Sequence, residues 1–205
     1  GLAYTAVGAL LYPLLPRRLG ARLGRGAIRH AFRFQLWLLH ALGLMRADLA
    51  ALDALRGEHG LILAPNHPSL LDAVFMVARV PDVVCIMKAS VQDNPFLGGG
   101  ARLAGYIRND SNTNMVRRSV AELRAGSHVL LFPEGTRTTQ APVNEFKSAF
   151  SLIARRSGAP VQTVFIETDA PYLGKCWPLF RKPPFPLVYR VRLGRRFQPD
   201  ADAKT

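Results

Sequence analysis

The sequence predicts an α/β domain, a mostly parallel central sheet flanked by helices, preceded by an N-terminal helical segment that is first apolar and then basic. Three observations carry this. From Leu61 onward, short apolar runs alternate with helical patterns, the strand–helix–strand rhythm of a parallel core. Gly126 and Gly158 follow two of the helical stretches, where a left-handed C-terminal cap favours glycine. The opening stretch, Gly1 to Pro16, carries no charge, whereas arginines crowd the residues directly after it.

GLAYTAVGALLYPLLP, Gly1 to Pro16, falls short of the roughly 20 residues that span a bilayer, and Pro13 and Pro16 interrupt a continuous helix. Arg18, Arg22, Arg25, Arg29 and Arg33 then recur at steps of three and four, which stacks them along one helix face. Leu19, Leu23, Ala27 and Ile28 fall between them, and FQLWLLHALGLM, Phe34 to Met45, continues the apolar character. A basic stripe beside Leu, Phe and Trp suits a helix lying among lipid headgroups. The alternative is an amphipathic helix packed on its own domain with a solvated charged face. The neighbouring uncharged segment has no obvious core to join, which favours membrane contact. Residues 1–50 are therefore expected to form an apolar and basic membrane-associated helical region, and residues 51–205 the α/β domain.

Strands are expected at Leu61–Ala64, Val83–Met87, Val129–Phe132, Val161–Ile166 and Leu187–Leu193, from their short runs of branched and aromatic residues. Helices are expected at Pro68–Ala78, Asn94–Ala104, Thr113–Ala125 and Glu145–Arg156. KCWPLFRKPPFP, Lys175 to Pro186, is too rich in proline for regular structure and suits a stiff connector better than a lipid-facing lip.

In open α/β sheets, ligands sit beyond the carboxyl ends of the strands. Three stretches occupy that position: NHPSLLD after the first strand, KAS after the second and PEGTR after the third. In NHPSLLD, Pro68 is a natural first helical residue, which makes His67 the cap. Asp72 then lies little more than a turn into the helix, and a capping histidine is free to lean over that turn. Asp72 accepting from one imidazole nitrogen leaves the other basic, the histidine–carboxylate half of a triad without a serine. The bland alternative is a plain cap plus an aspartate on the helix dipole. Ser69 is expected to be structural, because the G-x-S-x-G elbow of hydrolases is absent. In PEGTR, Gly135 permits a tight turn and Arg137 offers a planar fork suited to phosphate; the alternative is a Glu134–Arg137 surface pair. Lys88 and Arg108 would add positive charge nearby.

The chain has 205 residues, with 27 Lys+Arg against 14 Asp+Glu and a net charge of +13. Such a surplus favours a polyanionic partner. No nucleic-acid recognition motif is present and the basic stripe adjoins apolar sequence, which points to lipid and away from nucleic acid. Cys85 and Cys176 have no metal-ligand spacing and suit two free thiols. No metal site is expected.

NHPSLLD followed by FPEGTR, Phe132 to Arg137, resembles the paired signature of the glycerolipid acyltransferase superfamily, which includes the 1-acylglycerol-3-phosphate acyltransferases. The resemblance implies that His67 is the base and Asp72 its orienting partner. It implies that Glu134, Gly135, Thr136 and Arg137 bind the acceptor phosphate. KAS resembles the family's lysine-bearing strand end, which implicates Lys88. GAPVQTVFI resembles its late strand, with Thr163 where a second proline is usual. The family's second block ends in an aromatic, Ile, one residue and Arg; here Arg108 comes one position early and Asn109 holds the usual place. The chain is also similar to members associated with aryl polyene-type envelope lipids. The resemblance implies an O-acyltransferase taking its acyl group from acyl-CoA or acyl-ACP and needing no further cofactor, and the arginines just after an apolar segment, with the free-thiol reading, favour the cytoplasmic face of the cell membrane. Backbone N–H groups at the start of the Pro68 helix are expected to receive the oxyanion. A thioesterase or lipase, with water as acceptor, is the rival.

Overall fold

The computed structural model describes residues 10, 14–95, 98–140, 143–170, 172–178 and 181–199. In chain order these form α1 (Arg17–Ala41), β1 (Met45–Asp48), a 3-10 helix (Ala50–Leu55), β2 (Ile62–Pro65), α2 (Asp72–Arg79) and β3 (Val83–Met87). There follow α3 (Ala89–Gln92), α4 (Gly98–Leu103), β4 (Ile107–Arg108), α5 (Asn112–Arg124), β5 (His128–Leu130), α6 (Ser148–Ser157), β6 (Val161–Thr168) and β7 (Leu187–Phe197). The sheet order is β1-β7-β6-β2-β5-β3-β4. Among the described strands only β6 and β7 pair antiparallel; the other neighbours are parallel. The expected α/β architecture with a mostly parallel sheet is therefore present.

Strand side chains alternate between faces, and the core divides accordingly. Leu61 and Leu63 join the cluster under α1, α2 and the 3-10 helix, with Phe75, Met76, Leu52 and Leu55. Ile62 and Ala64 join the opposite cluster under α5 and α6, with Val116, Leu123 and Ile153. Burial on both faces explains why β2 is an unbroken apolar run.

Several boundaries differ from expectation. β1 and β4 were not legible as strands, because four and two residues give too little period to detect. The helix expected at Asn94–Ala104 resolves into α3 and α4; Pro95 and three consecutive glycines are poor material for one continuous helix. The helix expected from Glu145 starts at Ser148.

The division at residue 50 runs through one body. β1 pairs in register with β7, Met45 opposite Leu187, and α1 is bolted to the domain by Arg25. Most of the uncharged stretch Gly1 to Pro16 lies outside the described residues. On α1, Gly20, Gly24, Arg25 and Ile28 are buried. A Cβ on Gly24 would stand 2.7 Å from the backbone nitrogen of Ala104, so this crossing admits only glycine. The face away from the domain exposes Leu19, Leu23, Phe34, Trp37, Leu38 and Leu42. No described helix is long and apolar enough to cross a membrane.

The arginine stripe is not uniformly outward. Arg25 is 7% exposed and donates to the Ala104 carbonyl (3.0 Å), Ser127 Oγ (2.8 Å), Asp82 (2.8 Å) and Glu122 (2.8 Å). Burial alone would lower its affinity for a proton, but Asp82 and Glu122 outweigh it and raise its pKa. Helical spacing placed Arg25 among its neighbours correctly and could not show that carboxylates from two distant segments meet it.

Candidate active site

The site is built where β2 and β5 end side by side. Asn66 prolongs the ladder with its side chain: Oδ1 accepts from the Ile166 N–H (2.7 Å) and Nδ2 donates to the Ile166 carbonyl (3.0 Å). This locks the chain immediately before His67. The His67 N–H donates to Glu134 Oε1 and to Thr138 Oγ1, both at 3.1 Å, and the His67 carbonyl accepts from the Thr138 N–H at 2.7 Å. The imidazole stacks on Phe132, centroids 3.8 Å apart and planes 17° from parallel. Backbone and ring are thus held independently.

His67 Nδ1 lies 2.9 Å from Asp72 Oδ2, with the imidazole 15% exposed and the carboxylate fully buried. An ionised Asp72 assigns the Nδ1 proton to that contact and leaves Nε2 with its lone pair. Burial pushes the Asp72 carboxyl above its ordinary range, while His67 and the Ser69 N–H pull it back down. Asp72 Oδ1 is buried and has no hydrogen-bond partner among the described residues.

The helix expected from Pro68 begins instead at Asp72. Ser69 N–H donates to Asp72 Oδ2 (2.7 Å) and Leu71 N–H donates to Ser69 Oγ (3.1 Å), side-chain bonds that hold a turn ahead of the helix. Residues 68–71 are consequently a turn, and the helix cap is Leu71 and not His67. That turn solves the spacing problem: five residues apart do not share a face of an ideal helix, but the two side chains meet across a turn. Ser69 is fully buried and donates to the Tyr172 carbonyl at 2.7 Å, so it is structural.

The same turn engages backbone donors expected to receive the oxyanion. Ser69 N–H goes to Asp72 and Leu71 N–H to Ser69 Oγ. Leu70 N–H and Asp72 N–H make longer contacts of 3.4 Å to the carbonyls of Leu173 and Ser69. These donors already serve the fold.

Glu134 and Arg137 form neither a surface pair nor a joint clamp. Glu134, 1% exposed, accepts from the His67 N–H, from Thr138 Oγ1 (2.7 Å) and, through Oε2, from the Asn144 N–H (2.9 Å). It braces the histidine's backbone. Arg137 Nη1 donates to the carbonyls of Leu173 (2.8 Å) and Gly174 (2.9 Å), fastening the loop that also receives Ser69. That loop, which precedes the proline-rich stretch, therefore borders the site. Gly135 has φ +65°, and an added Cβ would stand 3.1 Å from Lys147 Cγ, so the turn requires glycine. Thr136 is half-buried beside it.

His67, Asp72 and the residues from Glu134 to Arg137 thus converge at the β2 and β5 ends. Lys88 stands exposed at the end of β3, one strand further. Arg108 lies on β4, opposite Met87, and is bound by Asp93 (2.6 and 3.0 Å) and Asp110 (2.6 Å). Its charge is compensated there. Sequence reasoning missed Asn66, Phe132, Thr138, Asn144 and the Tyr172–Gly174 carbonyls. Asn66 and Phe132 open quoted motifs and Thr138 directly follows one, so they could have been found; the loop carbonyls leave no trace in side-chain identity. Among the described residues no group of His, Cys, Asp and Glu could hold a metal ion.

A parallel α/β sheet presenting a carboxylate-held histidine at its strand ends defines an enzyme of the acid–base class. Residues 46–167 match the Acyltransferase family, more than half of the chain, and the chain belongs to that family of enzymes transferring acyl groups other than aminoacyl groups. It is 25% identical over 188 residues to a 1-acyl-sn-glycerol-3-phosphate acyltransferase of Pseudomonas aeruginosa, covering 89% of this chain and 70% of that protein. It is 36% identical over 95 residues to a lyso-ornithine lipid O-acyltransferase of Rhodobacter capsulatus, covering 44% of this chain but only 34% of that protein. The crystal structure of the 1-acyl-sn-glycerophosphate (LPA) acyltransferase PlsC from Thermotoga maritima superposes with a TM-score of 0.69 at 19% identity, covering 99% of this chain and 81% of that one. That likeness is one of fold.

Proposed function

We propose that this protein transfers an acyl group from an acyl thioester, carried on coenzyme A or acyl carrier protein, to the hydroxyl of a lysophospholipid such as 1-acylglycerol-3-phosphate. The observation that carries the reading is the 2.9 Å contact between His67 Nδ1 and the buried Asp72, in a chain of the Acyltransferase family. His67 Nε2 takes the acceptor's proton as its oxygen attacks the thioester carbonyl. Asp72 stabilises the resulting imidazolium. The tetrahedral intermediate collapses, the carbon–sulfur bond breaks, and the thiolate leaves with the proton returned by His67. The names of the relatives support a lysolipid acceptor.

The phosphate role of the PEGTR turn narrows under this reading. Glu134 is a brace, leaving Gly135, Thr136 and the part of the Arg137 fork not bonded to the loop to face the acceptor. Lys88 adds a cation at the rim. Arg108 would have to leave Asp93 and Asp110 to contribute. The exposed apolar face of α1 and the +13 charge support work at an anionic membrane surface, the cytoplasmic face in this reading.

Purified protein given labelled acyl-CoA or acyl-ACP should release thiol only when a lysophospholipid is added, with the label appearing in diacyl product. Equal thiol release without any acceptor would establish a hydrolase instead.

A further inference from the structure

A second cationic site lies away from the catalytic turn, between α1 and α2. Arg29, Arg33, Arg56 and Arg79 gather there, with Asp53 as the counterion of Arg56 and Arg79. Asp53 lies 2.6 Å from Arg79 Nη2 and 2.9 Å from Arg56 Nη2, and Arg29 Nη2 donates to the Arg79 carbonyl at 3.3 Å. The Nε atoms of Arg29 and Arg79 are buried without a hydrogen-bond partner among the described residues. Burial first, then repulsion from Arg33, Arg56 and Arg79, lowers the Arg29 pKa. Beside this cluster a cavity of about 280 Å³ is lined by Arg33, Arg79, Trp37, His40, Met45 and Ala47, among others.

Among the described residues Asp53 pairs with Arg56 and Arg79 alone, so the four guanidinium groups are under-neutralised, and Arg33 and Arg79 line the neighbouring cavity. Guanidinium forks match phosphate oxygens. The cavity's other wall is largely aromatic and aliphatic, and it shares Trp37 with the exposed apolar residues of α1, which include Phe34 and Leu38. A ligand that fits both halves has an anionic phosphate and an attached apolar body. We infer that the α1–α2 arginine cluster binds the phosphate headgroup of an anionic membrane phospholipid, as a seat separate from the catalytic turn. The proposal rests on the membrane-surface reading above, but not on the acyl-transfer chemistry. The seat would fix how the domain stands on the bilayer.

The test is co-sedimentation of the full chain with vesicles of phosphatidylcholine alone or mixed with phosphatidylglycerol, comparing wild type, Arg29→Gln/Arg33→Gln and the control Arg117→Gln/Arg124→Gln. The control removes equal charge from a second groove, on α5 and α6. Wild type should prefer the anionic vesicles. The first double variant should lose on the order of 30-fold in affinity for them, the effect of two interfacial arginines, and the control less than threefold. Where Arg29→Gln lowers the melting temperature, Arg33→Gln alone, on an exposed side chain, should still lose about fivefold. Equal losses in both double variants, or undiminished binding in the first, would overturn the seat. So would inorganic phosphate shifting Trp37 fluorescence while anionic vesicles gain no preference, since the source would then be a soluble phosphate. Failure of wild type to bind any vesicle would instead overturn the membrane reading beneath it.

Discussion

Replacing His67 by glutamine is expected to lower kcat by on the order of 10²–10⁴ without shifting the melting transition. The range is what a positioned general base contributes. Glutamine can still donate to Asp72 and cover part of Phe132, so the buried carboxylate keeps a partner and the core keeps its packing. What it lacks is a nitrogen that binds a proton near neutral pH. The backbone of residue 67 is secured by Glu134, Thr138 and their bonds to it, none of which involves the imidazole. Activity and folding therefore separate at this position. Steady-state kinetics beside a calorimetric scan would show it, and a variant within threefold of wild type would exclude the imidazole from the chemistry.

Arg25→Met is expected to act in the opposite sense, costing about 3 kcal/mol or more in stability. Removing one member of a buried charge network strands the rest. Here it leaves Asp82 and Glu122 facing each other and leaves Ser127 Oγ and the Ala104 carbonyl without their donor. Asp82 and Glu122 are partly exposed, at 46% and 28%, so water relieves some of that loss. For a chain of this size the change corresponds to a fall in Tm of about 10 °C. Methionine fills much of the space, so the charge network and not a void is what the experiment reads. A fall under 2 °C would mean that α1 is held by its apolar contacts alone.

These two residues mark how much of the molecule the sequence disclosed. His67 and Asp72 were legible because the motif places both at a strand end, where neither belongs in a core. The strands β2, β3, β5, β6 and β7 were legible because branched residues cluster in short runs. Arg25 was legible only as one arginine in a stripe: helical spacing identifies neighbours on a face, but not which face meets carboxylates from residues 82 and 122. The start of α2 was misplaced because Pro68 is an ideal first helical residue, whereas the side-chain bonds of Ser69 and Asp72 close a turn and delay the helix. Glu134 looked like a ligand of something bound. Its three hydrogen bonds run inward because the His67 N–H, the Thr138 hydroxyl and the Asn144 N–H all meet its carboxylate, which composition alone does not foretell. Arg137 was expected to hold phosphate; its attachment to the Leu173 and Gly174 carbonyls depends on a loop distant in sequence.

A carboxylate that tunes a catalytic imidazole and a carboxylate that merely caps a helix predict different behaviour for Asp72→Asn. The amide oxygen can still accept from Ser69 N–H and His67 Nδ1, so the cap and the ring orientation survive, and the energetic cost of a buried charge disappears. The imidazolium formed as the acceptor loses its proton would no longer face an anion. Measuring kcat and thermal stability of Asp72→Asn together is therefore the most direct test. The account predicts a fall in kcat of about 10² or more with stability within about 1 kcal/mol of wild type. Unchanged turnover accompanied by a marked loss of stability would contradict it, and would reduce the pair to a helix cap.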